Sequence, residues 1–148
     1  MKCKTSIFVT LCLSFMFALC LFACGKTGGG TGKIENCLLV ENGETRVVIS
    51  VGDIGGNATL LDCMEYLSEL HEDFTFTMKS GMVTSINGVE NTADFSSCWM
   101  VYTSDAEMAN AAWGTIDYNG ATLGSAVVGA DALTVITGEI YVWEYVGF

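Results

Sequence analysis

Thr59-Leu60-Leu61-Asp62-Cys63-Met64-Glu65-Tyr66-Leu67-Ser68-Glu69-Leu70-His71, followed at once by Phe74-Thr75-Phe76-Thr77-Met78-Lys79, is the stretch on which the fold turns. Its first half opens with a capping-box order: the Thr59 hydroxyl and the Asp62 carboxylate can satisfy free amides at a helix start. Leu60, Cys63, Met64, Leu67 and Leu70 then recur at steps of three and four, with Glu65, Ser68 and Glu69 opposite, the pattern of a helix with one packed face. Beyond His71 the period changes from three and a half to two, so Phe74, Phe76 and Met78 share one face of a half-buried strand. A helix that hands over directly to strands has to lay its apolar stripe on a sheet.

On either side of this stretch the sequence reads as strands. Arg46 to Val51 is a β-branched run bounded by Gly43 and Gly52, and Met82 to Ile86 ends on the tight-turn pair Asn87-Gly88. Cys98 to Thr103 gives an aromatic-bearing strand, and Thr115 to Tyr118, Asn119-Gly120 and Ala121 to Leu123 read as a hairpin. Ile140 to Val146 places Tyr141, Trp143 and Tyr145 on one face. Between Ser104 and Ala112 the composition favours helix, and Ser104 to Glu107 repeats the capping-box order, so a short helical excursion is expected there. With no alternating strand-helix repeat, the expected fold class is α+β: a small, mainly antiparallel sheet with one amphipathic helix packed on it.

The N-terminal residues read as an address. Lys2 and Lys4 precede the apolar run Ile7 to Phe22, which is short for a bilayer crossing, and Leu21-Phe22-Ala23-Cys24-Gly25 resembles a lipobox. Cys24 is therefore the expected lipidation site, preferred over Cys20 because Ala23 supplies the small side chain that cleavage requires. Gly25 to Lys33 contains five glycines and no apolar side chain, the composition of a flexible tether. The expected layout is a lipoprotein signal over 1–23, a lipid-anchored Gly-rich linker over 24–37 and a domain over 38–148. The chain is expected to be exported and held by its lipid on the extracytoplasmic side of a cell membrane. Mean hydropathy of +0.44 reflects the leader and does not call for a membrane-spanning fold.

Charge excludes one class of partner. The 148-residue chain has a formal charge of −11, and once the leader is removed only Lys26, Lys33, Arg46 and Lys79 face its 17 acidic residues. Such a surface repels phosphate, so nucleic acid is not an expected partner. The cysteines of the domain, Cys37, Cys63 and Cys98, are odd in number and cannot all pair; one disulfide among three pairings stands beside the reading that all three are small buried apolar residues. Their spacing fits no zinc pattern. His71, the one histidine, reads as a helix end, and Gly25-Lys26-Thr27 lacks the upstream glycine and strand of a phosphate loop. With no nucleophile beside a base and no metal cluster, the chain is not expected to be an enzyme.

The aromatic side chains are left as candidates. Trp113 lies in a connection rich in Ala, Gly and Asn, where an aromatic is available to a ligand, and Tyr118 follows in the hairpin. Trp99 and Tyr102 complete the candidate set, although strand aromatics of this kind, Trp143 among them, more often fill a core.

The order helix, then Gly81-Met82-Val83-Thr84-Ser85-Ile86-Asn87-Gly88-Val89, then Cys98-Trp99-Met100, then Ile140-Tyr141-Val142-Trp143 resembles the transcobalamin-like C-terminal domain family over roughly Val47 to Tyr145. Thr84 to Gly88 and Val142-Trp143 are the best matches. The family includes the lid domain of animal cobalamin carriers and many bacterial surface lipoproteins of unassigned function. In the carriers the lid closes over one face of the corrin while an all-helical domain, with no counterpart expected in these 148 residues, holds the other. The resemblance thus implies a binding module for a small ligand such as a corrinoid, with cobalamin a candidate ligand and no cofactor firmly implied. The alternative is a domain that binds a surface protein, a transporter or a polymer without any small ligand.

Overall fold

The computed structural model describes residues 34–54 and 56–148. The leader, Cys24 and the tether to Lys33 lie outside the described residues. Nine strands and one α-helix follow a 3-10 turn at Ile34–Asn36: β1 (Cys37–Asn42), β2 (Arg46–Val51), α1 (Leu60–Leu70), β3 (Phe76–Lys79), β4 (Met82–Ile86), β5 (Val89–Glu90), β6 (Ser97–Thr103), β7 (Ala109–Tyr118), β8 (Ala121–Ala126) and β9 (Ile140–Gly147). The last residues assigned to the linker, Ile34 to Cys37, are therefore the 3-10 turn and the start of β1.

Helix α1 starts as its sequence dictates. The Thr59 hydroxyl accepts from the Asp62 amide at 3.2 Å, and the Asp62 carboxylate accepts from the Thr59 amide at 2.7 Å. Leu60, Cys63, Met64 and Leu67 are buried, but Leu70 at the helix end is exposed, so the packed stripe stops one turn short.

All strand pairings are antiparallel, and they make two sheets where the sequence suggested one. The larger has the order β1-β2-β9-β6-β8-β7, the smaller β3-β4-β5. Strand β9 is the spine: it pairs with β2 on one side and along the whole of β6 on the other. Alternation along it sends Tyr141 and Trp143 to an inner face and Val142 to the outer one, and all three are buried. The inner face is covered by α1 and by the small sheet, whose Val83 and Ile86 join Val47, Ile49, Leu67 and Leu133 in one core. On the outer face Val48, Tyr102, Leu123 and Val142 form a second, smaller cluster. Burial on both faces explains why the β2 and β9 sequences are apolar nearly throughout.

One expected element is overturned. Ser104 to Ala112 does not form a helix: the Asp105 amide donates to the Thr103 hydroxyl, the Glu107 amide to the Asp105 carboxylate, and the Met108 amide to the Asp105 carbonyl. These local bonds close a turn that competes with helix nucleation. From Ala109 onward β8 supplies the backbone partners, and pairing overrides the helix preference of the alanines.

Cys37 and Cys63 form a disulfide that joins the edge strand β1 to α1 across a separation of 26 residues, and Cys98 is buried and unpaired among the described residues. Closing a loop of that length stabilises the fold by about 3 kcal/mol. Reduction should lower the unfolding free energy by about that amount in denaturant titrations, and Thr59→Ala should cost about 1 kcal/mol through loss of the cap. A reduced chain as stable as the oxidised one would contradict the first expectation.

Candidate functional site

Strand β6 pairs with β9 from Ser97 to Thr103, but with β8 only at Tyr102 and Thr103. After Ala126 the chain leaves the sheet, because the first amides of α1 hold it elsewhere: Leu61 N–H donates to the Ala130 carbonyl at 3.0 Å and Leu60 N–H to the Leu133 carbonyl at 2.8 Å. Two of the four free N–H groups of a helix start are thereby satisfied. The consequence is a cleft of about 420 Å³ between β6, the segment Ser125 to Ala130 and the β3-β4 turn. Gly129 sits where the turn comes closest; a Cβ on it would stand 3.0 Å from the Gly81 carbonyl oxygen.

All three tryptophans of the chain, Trp99, Trp113 and Trp143, line this cleft. Trp99 is a fixed wall: its indole N–H donates to the Val89 carbonyl at 2.8 Å, its amide to the Asn91 side-chain oxygen at 2.9 Å, and its ring meets Tyr145 edge-on. Trp143 is also buried, on β9, yet its indole N–H has no partner. Ser125, another lining residue, is 1% exposed and its hydroxyl is likewise unpaired. Both atoms are closed to solvent, and they lie on opposite faces of the sheet: Ser125 shares the outer face with Tyr102 and Leu123, and Trp143 shares the inner face with Val101.

Trp113 is held differently. Asn110 pairs with Ser125 and Thr115 with Gly124, so the four residues between Asn110 and Thr115 bulge out of β7 opposite adjacent residues of β8. Gly114 permits the bulge with φ of +131°, and Gly124 permits the close approach, since a Cβ there would lie 3.0 Å from that of Ala109. Trp113 is carried at the rim with 58% of its surface exposed, and the exposed Met82 and Val127 line the same cleft.

Of the four aromatic candidates, the structure brings Trp99 and Trp113 together and places Tyr102 and Tyr118 elsewhere. Tyr102 is opposite Ser125 in register but packs in the outer cluster, where Tyr118 and Ile116 lie against it. Trp143, Ser125 and the segment after β8 were not visible as site residues. Trp143 has the strand alternation of an ordinary core residue, and no local signal marks a pairing that ends after two residues.

Among the described residues no group of three His, Cys, Asp or Glu side chains is placed to hold a metal. Cys98 is the one titratable side chain among the cleft residues, and burial pushes its thiol pKa up. No family model matches the chain, and no curated protein and no solved structure matches it.

Two solution measurements follow. Acrylamide should quench one tryptophan readily, and Trp113→Phe should abolish that accessible fraction while leaving the melting temperature nearly unchanged; quenching that survives the substitution would contradict the exposure of the rim. A thiol whose pKa is raised stays protonated through neutral pH, so Cys98 should react with a thiolate-specific reagent far more slowly in the folded chain than after unfolding, with the rate rising only as pH passes the ordinary thiol range.

Proposed function

We propose that this chain is a lipid-anchored extracytoplasmic binding module that takes a small planar or amphipathic ligand in the cleft between β6 and the segment after β8. The observation that carries the reading is the meeting of all three tryptophans at one cleft, with an exposed indole at the rim. Its volume falls in the range of small-molecule sites, and its mixture of apolar walls with few polar groups is their usual chemistry. Aromatic side chains supply flat apolar area with little loss of conformational freedom on binding.

Support for the location comes from two sides. The apolar leader and Cys24 have the composition of a lipoprotein signal, and a Cys37–Cys63 disulfide is at home in an oxidising compartment. The anchor would keep the module beside a transporter that receives its ligand. The resemblance to transcobalamin-like domains makes a corrinoid the first ligand to try; the cleft would receive one edge or face of so large a ring and leave the remainder outside. No catalytic role is proposed.

A second reading has its own observation. Leu38 and Val40 are exposed on β1, whose outer edge pairs with no strand among the described residues, and such an edge can add a strand from another protein. The titration below separates the two. Cobalamin added to the full chain should change intrinsic tryptophan fluorescence with saturation, and Trp113→Ala should weaken the response at least tenfold. Unchanged absorbance and fluorescence at millimolar cobalamin would remove the corrinoid; retention of an envelope protein through β1, lost on Val40→Lys, would favour the edge.

A further inference from the structure

Both walls of the cleft are made of residues consecutive in sequence, which identifies the part of the chain that faces it. Cys98, Trp99, Met100 and Val101 border it on β6, and Ser125 to Ala130 border it on the other side. Successive side chains of a strand point to opposite faces, so four in a row share one opening only where it lies along the edge of the strand. We infer that the cleft is a slot for a short extended peptide, which adds to the free edge of β6 as a strand and lays an aromatic or apolar side chain against the tryptophans. The inference rests on the binding reading above and names the class of its ligand.

That edge offers one donor and one acceptor. The Ser104 amide donates to the Ile140 carbonyl, so along β6 the backbone groups of Tyr102, Met100 and Cys98 also turn toward β9, while those of Val101 and Trp99 turn away from it. The Trp99 amide is taken by the Asn91 side-chain oxygen at 2.9 Å. Pairing with β8 stops at Tyr102, so the Trp99 carbonyl and the Val101 N–H have no strand opposite them among the described residues. These two groups flank Met100, and a carbonyl and an amide in that relation are bridged by the N–H and C=O of a single residue in a parallel strand. Trp99 and Val101 are buried, where a main-chain group left unpaired costs about as much as a lost hydrogen bond.

A peptide meets this arrangement where a flat hydrocarbon does not. Its main chain supplies both bonds, and its side chains alternate, so they reach both faces that the slot joins: Trp99 and Trp143 on the inner one, Cys98 and Met100 on the outer. Trp113, exposed at the rim, offers its ring to an aromatic side chain. Charge then selects among peptides. No charged side chain lines the slot, and the described residues hold all 17 acidic side chains against two cations, Lys79 and an Arg46 that Glu144 binds through two nitrogens. An acidic peptide enters a repulsive field, and a neutral or basic one does not.

The probe is an alanine-phenylalanine-alanine peptide, acetylated at its start and closed as the N-methylamide, titrated into the full chain by calorimetry. Three relatives accompany it: its all-D mirror image, the form methylated on the phenylalanine nitrogen, and the form with both alanines replaced by glutamate. The parent should bind about tenfold more tightly than the mirror image and than the N-methyl form, which has lost the donor meant for the Trp99 carbonyl. The glutamate form should also be weaker, and should regain affinity as salt screens the field. Amide exchange gives a second readout: saturation with the parent should slow exchange of the Val101 N–H at least about tenfold and leave the Trp99 N–H, already bonded to Asn91, nearly as it was. No binding of the parent, equal affinity for the mirror image or the N-methyl form, or an unprotected Val101 overturns the inference; binding of cobalamin or 2-naphthamide in the same chain then leaves the cleft a site for another ligand. If neither the peptides nor those two molecules bind, the inference and the reading on which it rests both fall.

Discussion

The hydrogen bonds from the first amides of α1 to the carbonyls of Ala130 and Leu133 govern where everything else can lie. A helix start needs acceptors, and here part of the supply comes from a segment that would otherwise have continued as a neighbour of β6. Val135 N–H donates to the Ala58 carbonyl and extends the attachment, so the chain from Ala130 to Val135 belongs to the helix end and to the core, with Ala130, Leu133 and Val135 buried. Strand β6 is left with a full partner in β9 and a two-residue partner in β8. The gap between them is a by-product of satisfying the helix, and it is lined by whatever β6, β9 and the bulged β7 happen to present there. In this chain they present three indoles.

The same accounting explains how much of the molecule was readable beforehand. Helix α1, strands β2, β4 and β9, and both Asn-Gly turns follow from local patterns, because each is decided by side chains within a few residues of one another: a cap, an alternation, a turn that tolerates positive φ. Asn87 and Asn119 do adopt positive φ, ahead of Gly88 and Gly120. The stretch from Ser104 to Ala112 misled for the converse reason. Its alanines and its Ser-to-Glu spacing favour a helix locally, but the decisive partners were Thr103 behind it and β8 ahead of it. β1 was missed because Cys37-Leu38-Leu39-Val40 is short and sits against a glycine-rich tether, and its place in the sheet depends on β2.

The site was half legible. Trp113 stood out because its surroundings have no apolar period, and the structure leaves it exposed at the rim of the cleft. Tyr102 and Tyr118 fell on the outer face for a reason of parity alone: on β6 the inward positions are Trp99 and Val101, so Tyr102 has to point the other way. Trp143 carries the opposite lesson. Its alternation places it in the core, which is where it lies, yet the core beside it is open, and that depends on a strand pairing far away in sequence.

The central claim is that Trp99, Trp113 and Trp143 face one shared cavity and answer to one occupant. Fluorine spectra of the chain labelled with 5-fluorotryptophan resolve one resonance for each of the three indoles. Adding a small planar aromatic such as 2-naphthamide should move all three along a common saturation curve. Movement of the Trp113 resonance alone, with those of Trp99 and Trp143 fixed, would mean that the rim residue binds at the surface and that the cleft is not the site.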